Sequence, residues 1–566
     1  MFGFIKQSAE VGPPQFSNRE LVFSPLQIRM LLLGLALATA MEFYTFDSMN
    51  LVLVDIAGTL GVSFDEASWL LTVYSSALFL GIPVSIWSAG HFGYKRFLIA
   101  TIVLYAVSAV GCALSPTLGV MLVWRAIQGF VGAGLVVWWR ASVYLLLPKA
   151  QRSSSLMRVS TGLYLASAAG LVLSGYVTDH FNWRLIFLPD LILAAGAIWV
   201  LSKVFPDLPP EKSERLRHTD WPGLILLAAW TICLQIILSR GPIDDWLGSP
   251  WIRFLAWAGT VSFIGFVFWQ LSASNRNPLL DIKLLANRYV MASAFIGVCT
   301  GMILSGSLFV LPRFLRYTDS QTHSATQTGQ LICIYALAAA VSRPFAMTMI
   351  ARIGPRKAIV FSIGMLTLSM FLLNRWLTTG TSDGYYILPL IFYGLCLAPL
   401  LPAVGSGTVG KVDKNQLMDG VSLYMTFRQL GASLGVALVT ILIEQRDTLH
   451  SSRLFEHLRE SGLQTQIRLS ATSDYLAARL GHGLVDAHGA AIRLLQETGT
   501  KQATTLSYAD AFLFMALVGL VALCFVPLIP PVVGQTSGPP AKPGIHPYPD
   551  TGYGQTLRVN YHKELI

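Results

Sequence analysis

A chain of 566 residues with 54% hydrophobic and only 12% charged side chains departs from soluble composition, in which about a quarter of residues are charged. Its formal net charge of +10 would suit a nucleic-acid binder, but the apolar residues come in blocks of about 18–25 between short polar hinges, the pattern of membrane-spanning helices. Barrel strands alternate over about 10 residues, and runs such as 31–40 do not. The sequence therefore predicts an all-α integral protein of the lipid bilayer, with no nucleic-acid partner.

Residues 1–28 form a polar N-terminal segment without the charged, apolar and cleavage-site order of a signal peptide. Roughly fourteen spans follow by length and polarity, at about 29–57, 67–89, 96–115, 118–147, 155–178, 184–204, 221–239, 252–273, 289–312, 327–350, 358–375, 385–409, 418–443 and 509–533. Every second loop is basic: 91–96, 148–154, 211–218, 275–283, 351–357 and 410–414. The intervening loops, such as 61–68 and 241–249, are acidic or neutral, with Arg313 and Arg316 breaking the pattern. The positive-inside rule then places both termini in the cytoplasm, in an inner-membrane, multi-pass topology. Residues 444–508 form a long outer loop of helical periodicity, and the Pro/Gly-rich tail 534–566 has a disordered composition.

The basic turns "HFGYKR" after the second span and "ARIGPRK" after the tenth are both centred on glycine, Gly93 and Gly354. Parallel six-helix halves would repeat in this way. The expected division is a bundle at 29–204, a linker at 205–288 carrying two extra peripheral spans, and a bundle at 289–533. The six cysteines, Cys112, Cys233, Cys299, Cys333, Cys396 and Cys524, are irregularly spaced within apolar blocks. They suggest neither zinc nor a disulfide framework, and no cofactor is expected.

Six short motifs in order, "RAIQGFVGAG" (125–134), "NWRLIF" (182–187), "SRGPIDDW" (239–246), "NPLLDIKLL" (277–285), "LPRFL" (311–315) and "FRQLGASLGVAL" (427–438), together resemble one family. It is the fourteen-span drug:proton antiporters of the EmrB/QacA type within the major facilitator superfamily, over about residues 30–533. The resemblance implies the major facilitator fold, with two six-helix bundles plus two linker helices, and proton-driven export of amphipathic small molecules. In Gram-negative members it implies a periplasmic adaptor (membrane fusion) protein leading to an outer-membrane channel. It also makes Arg125 part of the proton-coupling machinery, and assigns motif positions to Gln128, Gly129, Gly132, Gly134, Gly93, Gly170, Gly175, Arg428, Gly431 and Gly435. The chain departs from the family pattern at Gly90 and Ala351, where an Asp is usual before the turn glycine. It departs again at Ala166-Ser167, where Gly-Pro is usual, and at Thr45, where an Asp is usual.

Charged residues within spans are functional candidates because the bilayer penalises them. Arg125 should face the interior and meet an acid or a carbonyl, either for proton coupling or as a helix-to-helix contact. Glu42, Asp47 and Asp190 are candidates for the coupled proton. Glu42 and Asp47 are about 140° apart on a helix, so both cannot point into one narrow cavity; a permanent pairing with an arginine is the alternative for either. Arg140, Arg316, Arg343 and Arg428, beside Trp138, Tyr164 and Tyr424, are candidates for a substrate cavity of positive potential that would attract anions. For each arginine alone, snorkelling to the interface is the competing explanation. Arg125 and Arg140 stand about 22 Å apart along one helix and about four turns on, which predicts nearly the same face.

A membrane enzyme would need a constellation such as HExxH, which the ten histidines do not form. The functional expectation is a proton-coupled exporter of amphipathic small molecules, anions among them, of the multidrug-efflux type. An exporter dedicated to one metabolite, such as a siderophore or fatty acid, and a non-pumping receptor or channel stand as alternatives.

Overall fold

The computed structural model describes residues 23–207, 220–241, 244–272, 274–275, 280, 282–317, 323–409, 417–457, 463–480 and 484–529. The tail 534–566 and the basic loops 211–218 and 410–414 fall outside them. The first six helices are α1 (Pro25–Leu60), α2 (Phe64–Phe92), α3 (Tyr94–Ala113), α4 (Leu118–Leu146), α5 (Lys149–His180) and α6 (Leu188–Val204). The linker helices are α7 (Trp221–Arg240) and α8 (Pro250–Leu271). Then come α9 (Arg288–Tyr317), α10 (Ala325–Ile353), α11 (Pro355–Trp376), α12 (Gly384–Val409), α13 (Leu417–His457), α14 (Leu463–Leu480) and α15 (Leu484–Phe525). Fourteen of the described helices are long and apolar enough to cross a membrane.

The two halves repeat locally as well as globally. The second helix of each half opens with a capping box, Ser63 with Glu66 in α2 and Ser324 with Gln327 in α10. In each, the serine hydroxyl and the acid or amide side chain satisfy backbone N–H groups that a helix start leaves free. Each ends at a glycine of positive φ, 90° at Gly93 and 83° at Gly354, a region that side chains with a Cβ disfavour. In the first bundle α1 packs on α5 and α6, and α2 on α4; in the second α9 packs on α13 and α15, and α10 on α12.

The bundles meet along two unequal seams. On one side α5 lies directly against α10. A Cβ at Gly175 would stand 2.4 Å from the Ala325 carbonyl oxygen, and one at Gly329 would stand 2.2 Å from that of Leu171; only glycine allows this approach. Asp179, near the end of α5, accepts hydrogen bonds from the backbone N–H groups of Ala325 (3.1 Å) and Thr326 (2.7 Å), capping α10 from across the seam. On the other side α2 and α13 meet, with α7 against both. Phe79, Leu227 and Leu423 share an apolar cluster there, and Ser433 of α13 donates to Gln235 of α7. α8 packs chiefly on α7, while α7 closes the seam. Asp220 joins the two by accepting from Gly223 N (2.9 Å), Trp269 Nε1 (2.5 Å), Gln270 Nε2 (2.7 Å) and Asn275 Nδ2 (2.9 Å). Burial pushes its pKa up, but these donors outweigh it and hold the carboxyl below its usual range.

Toward the acidic loops both bundles share one core, in which Met49, Leu53 and Leu70 pack with Phe309, Phe314 and Tyr335. Toward the basic loops the cores of the two bundles are separate. The halves are therefore joined through a shared core at the acidic-loop end and keep separate cores at the basic-loop end. Arg316 of α9 forms a two-pronged ion pair with Asp55 of α1, its NH2 reaching Oδ1 at 2.8 Å. Arg313 stands 4.0 Å from Asp65 and 4.1 Å above the Phe64 ring. The two arginines that broke the alternation of loop charge are balanced here by acids of the first bundle.

α13 continues past the expected boundary at 443, and α15 begins well before 509. At 41 and 42 residues they are each about 60 Å long at 1.5 Å per residue, roughly twice the hydrocarbon thickness of about 30 Å. Their outer parts are tied by Thr504 Oγ1 donating to Asp447 (2.8 Å) and by His450 and Arg446 on Asp510 (2.9 and 3.5 Å), and α14 packs on α15.

Candidate functional site

Arg125 is fully buried inside the first bundle. Its NH1 donates to Gln128 Oε1 at 2.7 Å, its Nε to the Leu70 carbonyl at 3.4 Å, and its guanidinium lies 4.1 Å from the Tyr74 ring centroid. Gly129 makes room for this: a Cβ there would come within 2.2 Å of the Tyr74 carbonyl oxygen. Gly132 and Gly134 face Tyr105 and Thr101 of α3, and Gly170 faces Tyr44. Gly431 and Gly435 repeat the device in the second bundle against the Val298 and Met302 carbonyls. The expected carbonyl partner for Arg125 is present, and among the described residues it has no ion pair. Among the described residues Arg125 NH2, Gln128 Nε2 and Asp190 Oδ1 are buried without hydrogen-bond partners.

The three acids sit in different settings. Glu42 accepts from Tyr74 OH at 3.4 Å and is within electrostatic reach of both Arg125 and Arg428. Asp190 is fully buried and accepts from Thr45 Oγ1 at 2.6 Å; the threonine that departs from the family pattern is its donor. Asp47 looks across the molecule. It accepts from Ser167 of α5 and, at 2.8 Å, from Tyr335 OH of α10. Glu42 and Asp47 do point to different neighbours, as their angular separation requires.

Arginines of both bundles come within electrostatic reach of one another around Arg140. Arg140 of α4 is within electrostatic reach of Arg343, Arg428, Tyr164 and Tyr424. Arg343 of α10 donates to Ser160 Oγ (2.8 Å) and to the Ala398 carbonyl (2.6 Å), and lies 5.7 Å from the Tyr164 ring. Phe43 meets that ring edge-on at 6.2 Å. Among the described residues Arg428 Nε is buried without a hydrogen-bond partner, and Tyr424 lies beside Arg428 and Thr300. Among the described residues none of the three guanidinium groups is ion-paired with a carboxylate. Like-charged groups gathered in a low-dielectric region repel one another, and a bound anion relieves that repulsion.

Three expectations need correction. Arg316 is not beside these arginines but in the Asp55 ion pair, because α9 carries it to the joined end. Trp138 is turned into the first bundle, where its Nε1 donates to the Ser85 carbonyl at 3.2 Å and its ring packs 5.1 Å from Tyr94. The same-face expectation for Arg125 and Arg140 also fails. Fifteen residues leave about 60° beyond four turns, enough to put one against α2 and the other between the bundles. Sequence reasoning missed Tyr335, Ser160, Tyr74 and Phe43, which are ordinary residues until helices distant in the chain are brought together.

A family model described as Major Facilitator Superfamily matches residues 35–435. The chain is 27% identical over 444 residues to the multidrug export protein EmrB of Haemophilus influenzae, covering 77% of this chain and 85% of that protein. It is 25% identical over 507 residues to the fatty acid resistance protein FarB of Neisseria gonorrhoeae, covering 88% and 95%. Among solved structures it is similar to a POT family transporter in complex with a thioalcohol-conjugated peptide. That match has a TM-score of 0.60 and 14% identity, and covers 88% of this chain and 96% of the other.

Proposed function

The chain belongs to the Major Facilitator Superfamily, and from that premise we propose that it is a proton-coupled exporter of amphipathic anions, of the multidrug-efflux kind. The observation that carries this reading is the convergence of Arg140, Arg343 and Arg428 without paired carboxylates. An arginine at mid-bilayer costs about 2.5–3.5 kcal/mol on insertion scales, and three in one place favour an anionic ligand. Phe43, Tyr164 and Tyr424 supply apolar surface beside the charge. A similar protein named for fatty acid resistance fits a cargo with an anionic head and an apolar body.

The basic loops orient the protein in the inner (cytoplasmic) membrane with both termini cytoplasmic. The end with separate cores then faces the cytoplasm, the side from which cargo would reach the arginines, while the joined end faces outward. Glu42, Asp47 and Asp190 are the proton-coupling candidates, with Arg125 holding the polar interior of the first bundle. Arg140→Gln is the test: transport of anionic compounds from the cytoplasmic face should fall about tenfold, the loss of roughly one charge-assisted contact, with neutral compounds little changed. Equal losses for both classes would refute the anion site.

The outer extension of α13, α14 and α15 supports a partner role. It exceeds what a connection between two spans needs, and in a host with an outer membrane it would dock a periplasmic adaptor protein leading to an outer-membrane channel. Deleting residues 451–500 should leave the transporter inserted and competent in vesicles while abolishing export from intact cells. Unchanged cellular resistance would exclude the adaptor role.

A further inference from the structure

Asp47 belongs to the first bundle, but one of its hydrogen-bond donors belongs to the second. The Ser167 and Tyr335 oxygens lie 3.2 Å apart and both reach Asp47 Oδ2, closing a triangle of three oxygens beside the α5–α10 seam. Asp47 and Ser167 are buried, as is Tyr335. The other titratable groups facing it are Glu42 from its own helix and Tyr393 of α12, whose ring meets Tyr335 edge-on at 5.2 Å. Among the described residues no arginine or lysine pairs with Asp47, so only hydroxyl donors support its charge. Ser167 is one of the two positions where the resemblance leads one to expect Gly-Pro, and a hydroxyl donor occupies it.

Hydrogen bonds to an ionised acceptor are about twice as strong as neutral ones. Ionised Asp47 therefore draws Tyr335, and α10 with it, toward α5, in the arrangement that Gly175, Gly329 and Asp179 also stabilise. Protonation turns one acceptor oxygen into a donor and weakens the triangle. We propose that the Ser167–Asp47–Tyr335 contact is the latch through which protonation sets the conformation of the carrier: ionised, it holds the acidic-loop end shut; protonated, it lets that end open. Ser167 and Tyr335 are positioning residues of this latch.

The inference deepens the exporter reading and rests on it for its purpose, since it gives the proton a route to oppose the cargo. A proton on Asp47 acts through the seam, and the carrier that has released it stays open toward the basic loops until cargo loads.

The test needs no transport. Full-length protein in lipid nanodiscs carries spin labels at cysteines replacing exposed Leu114 and Ser382, at the acidic-loop end of the two bundles, in a Cys524→Ser background; the other five cysteines are buried. The short-distance population should rise with pH in the parent protein and be independent of pH in Asp47→Asn. Tyr335→Phe and Ser167→Ala should each move the transition upward by about one pH unit, and Ser167→Thr should restore it. A second label pair at His91 and Ala351 should move reciprocally, separating a hinge from local unfolding. A pH response retained in Asp47→Asn, or a transition unmoved in both hydroxyl variants, would overturn the latch. A failure of anion export alone would leave these distances unaffected and would count against the exporter reading only.

Discussion

Replacing Glu42 by Gln, or Asp47 by Asn, is expected to reduce export driven by a pH gradient to background while leaving the protein folded and inserted. Folding should survive because each amide keeps an oxygen acceptor for its hydroxyl donors, Tyr74 for Glu42 and Tyr335 with Ser167 for Asp47. The functional losses differ in kind. Glu42→Gln would leave Arg125 and Arg428 without the carboxylate now within their reach, fixing the electrostatics of the cavity. Asp47→Asn would leave the seam unable to register a proton. The measurement is cargo accumulation in everted vesicles on imposing a pH gradient, with downhill exchange as the control. Uphill export retained by both variants would remove the proton-coupling assignment.

Arg125→Gln should impair transport of every compound, anionic, neutral or cationic, by at least about tenfold. The side chain joins α4 to α2 through the Leu70 carbonyl and the Tyr74 ring and fixes Gln128 within α4. Each lost hydrogen bond to a charged group is worth about 1.5–3 kcal/mol. Arg125→Lys should not rescue it, since a point charge on a flexible stem cannot serve the carbonyl, the amide and the ring together. Stability should change less than activity, because removing a buried charge also relieves its desolvation cost. Vesicle assays with compounds of each charge class, beside thermal unfolding, separate the two. A loss confined to anions would assign Arg125 to the cargo site instead.

The helical fold was legible because hydropathy blocks and the basic turns around Gly93 and Gly354 are local signals. The length of α13 and α15 was not legible. Polar residues from 444 onward end a membrane span without ending a helix, and hydropathy reports only the former. The position of α7 was hidden for another reason: a helix between halves can lie anywhere around them, and the Gln235–Ser433 contact that places it joins residues 198 apart. The site follows the same rule. Arg140, Arg343 and Arg428 stood out as charges in apolar runs, but Arg316 stood out equally, and only its Asp55 partner, 261 residues away, distinguishes it. Tyr335 carried no signal, because its partner Asp47 lies 288 residues earlier.

Transport by the purified protein in proteoliposomes, with a pH gradient imposed and a compound series matched in apolar body but carrying an anionic, neutral or cationic head, tests the central claim most directly. An arginine-lined, proton-driven exporter should move the anionic member against its gradient, with proton counterflow, and the cationic member least. Preference for the cationic member, or anion movement indifferent to the pH gradient, would contradict it.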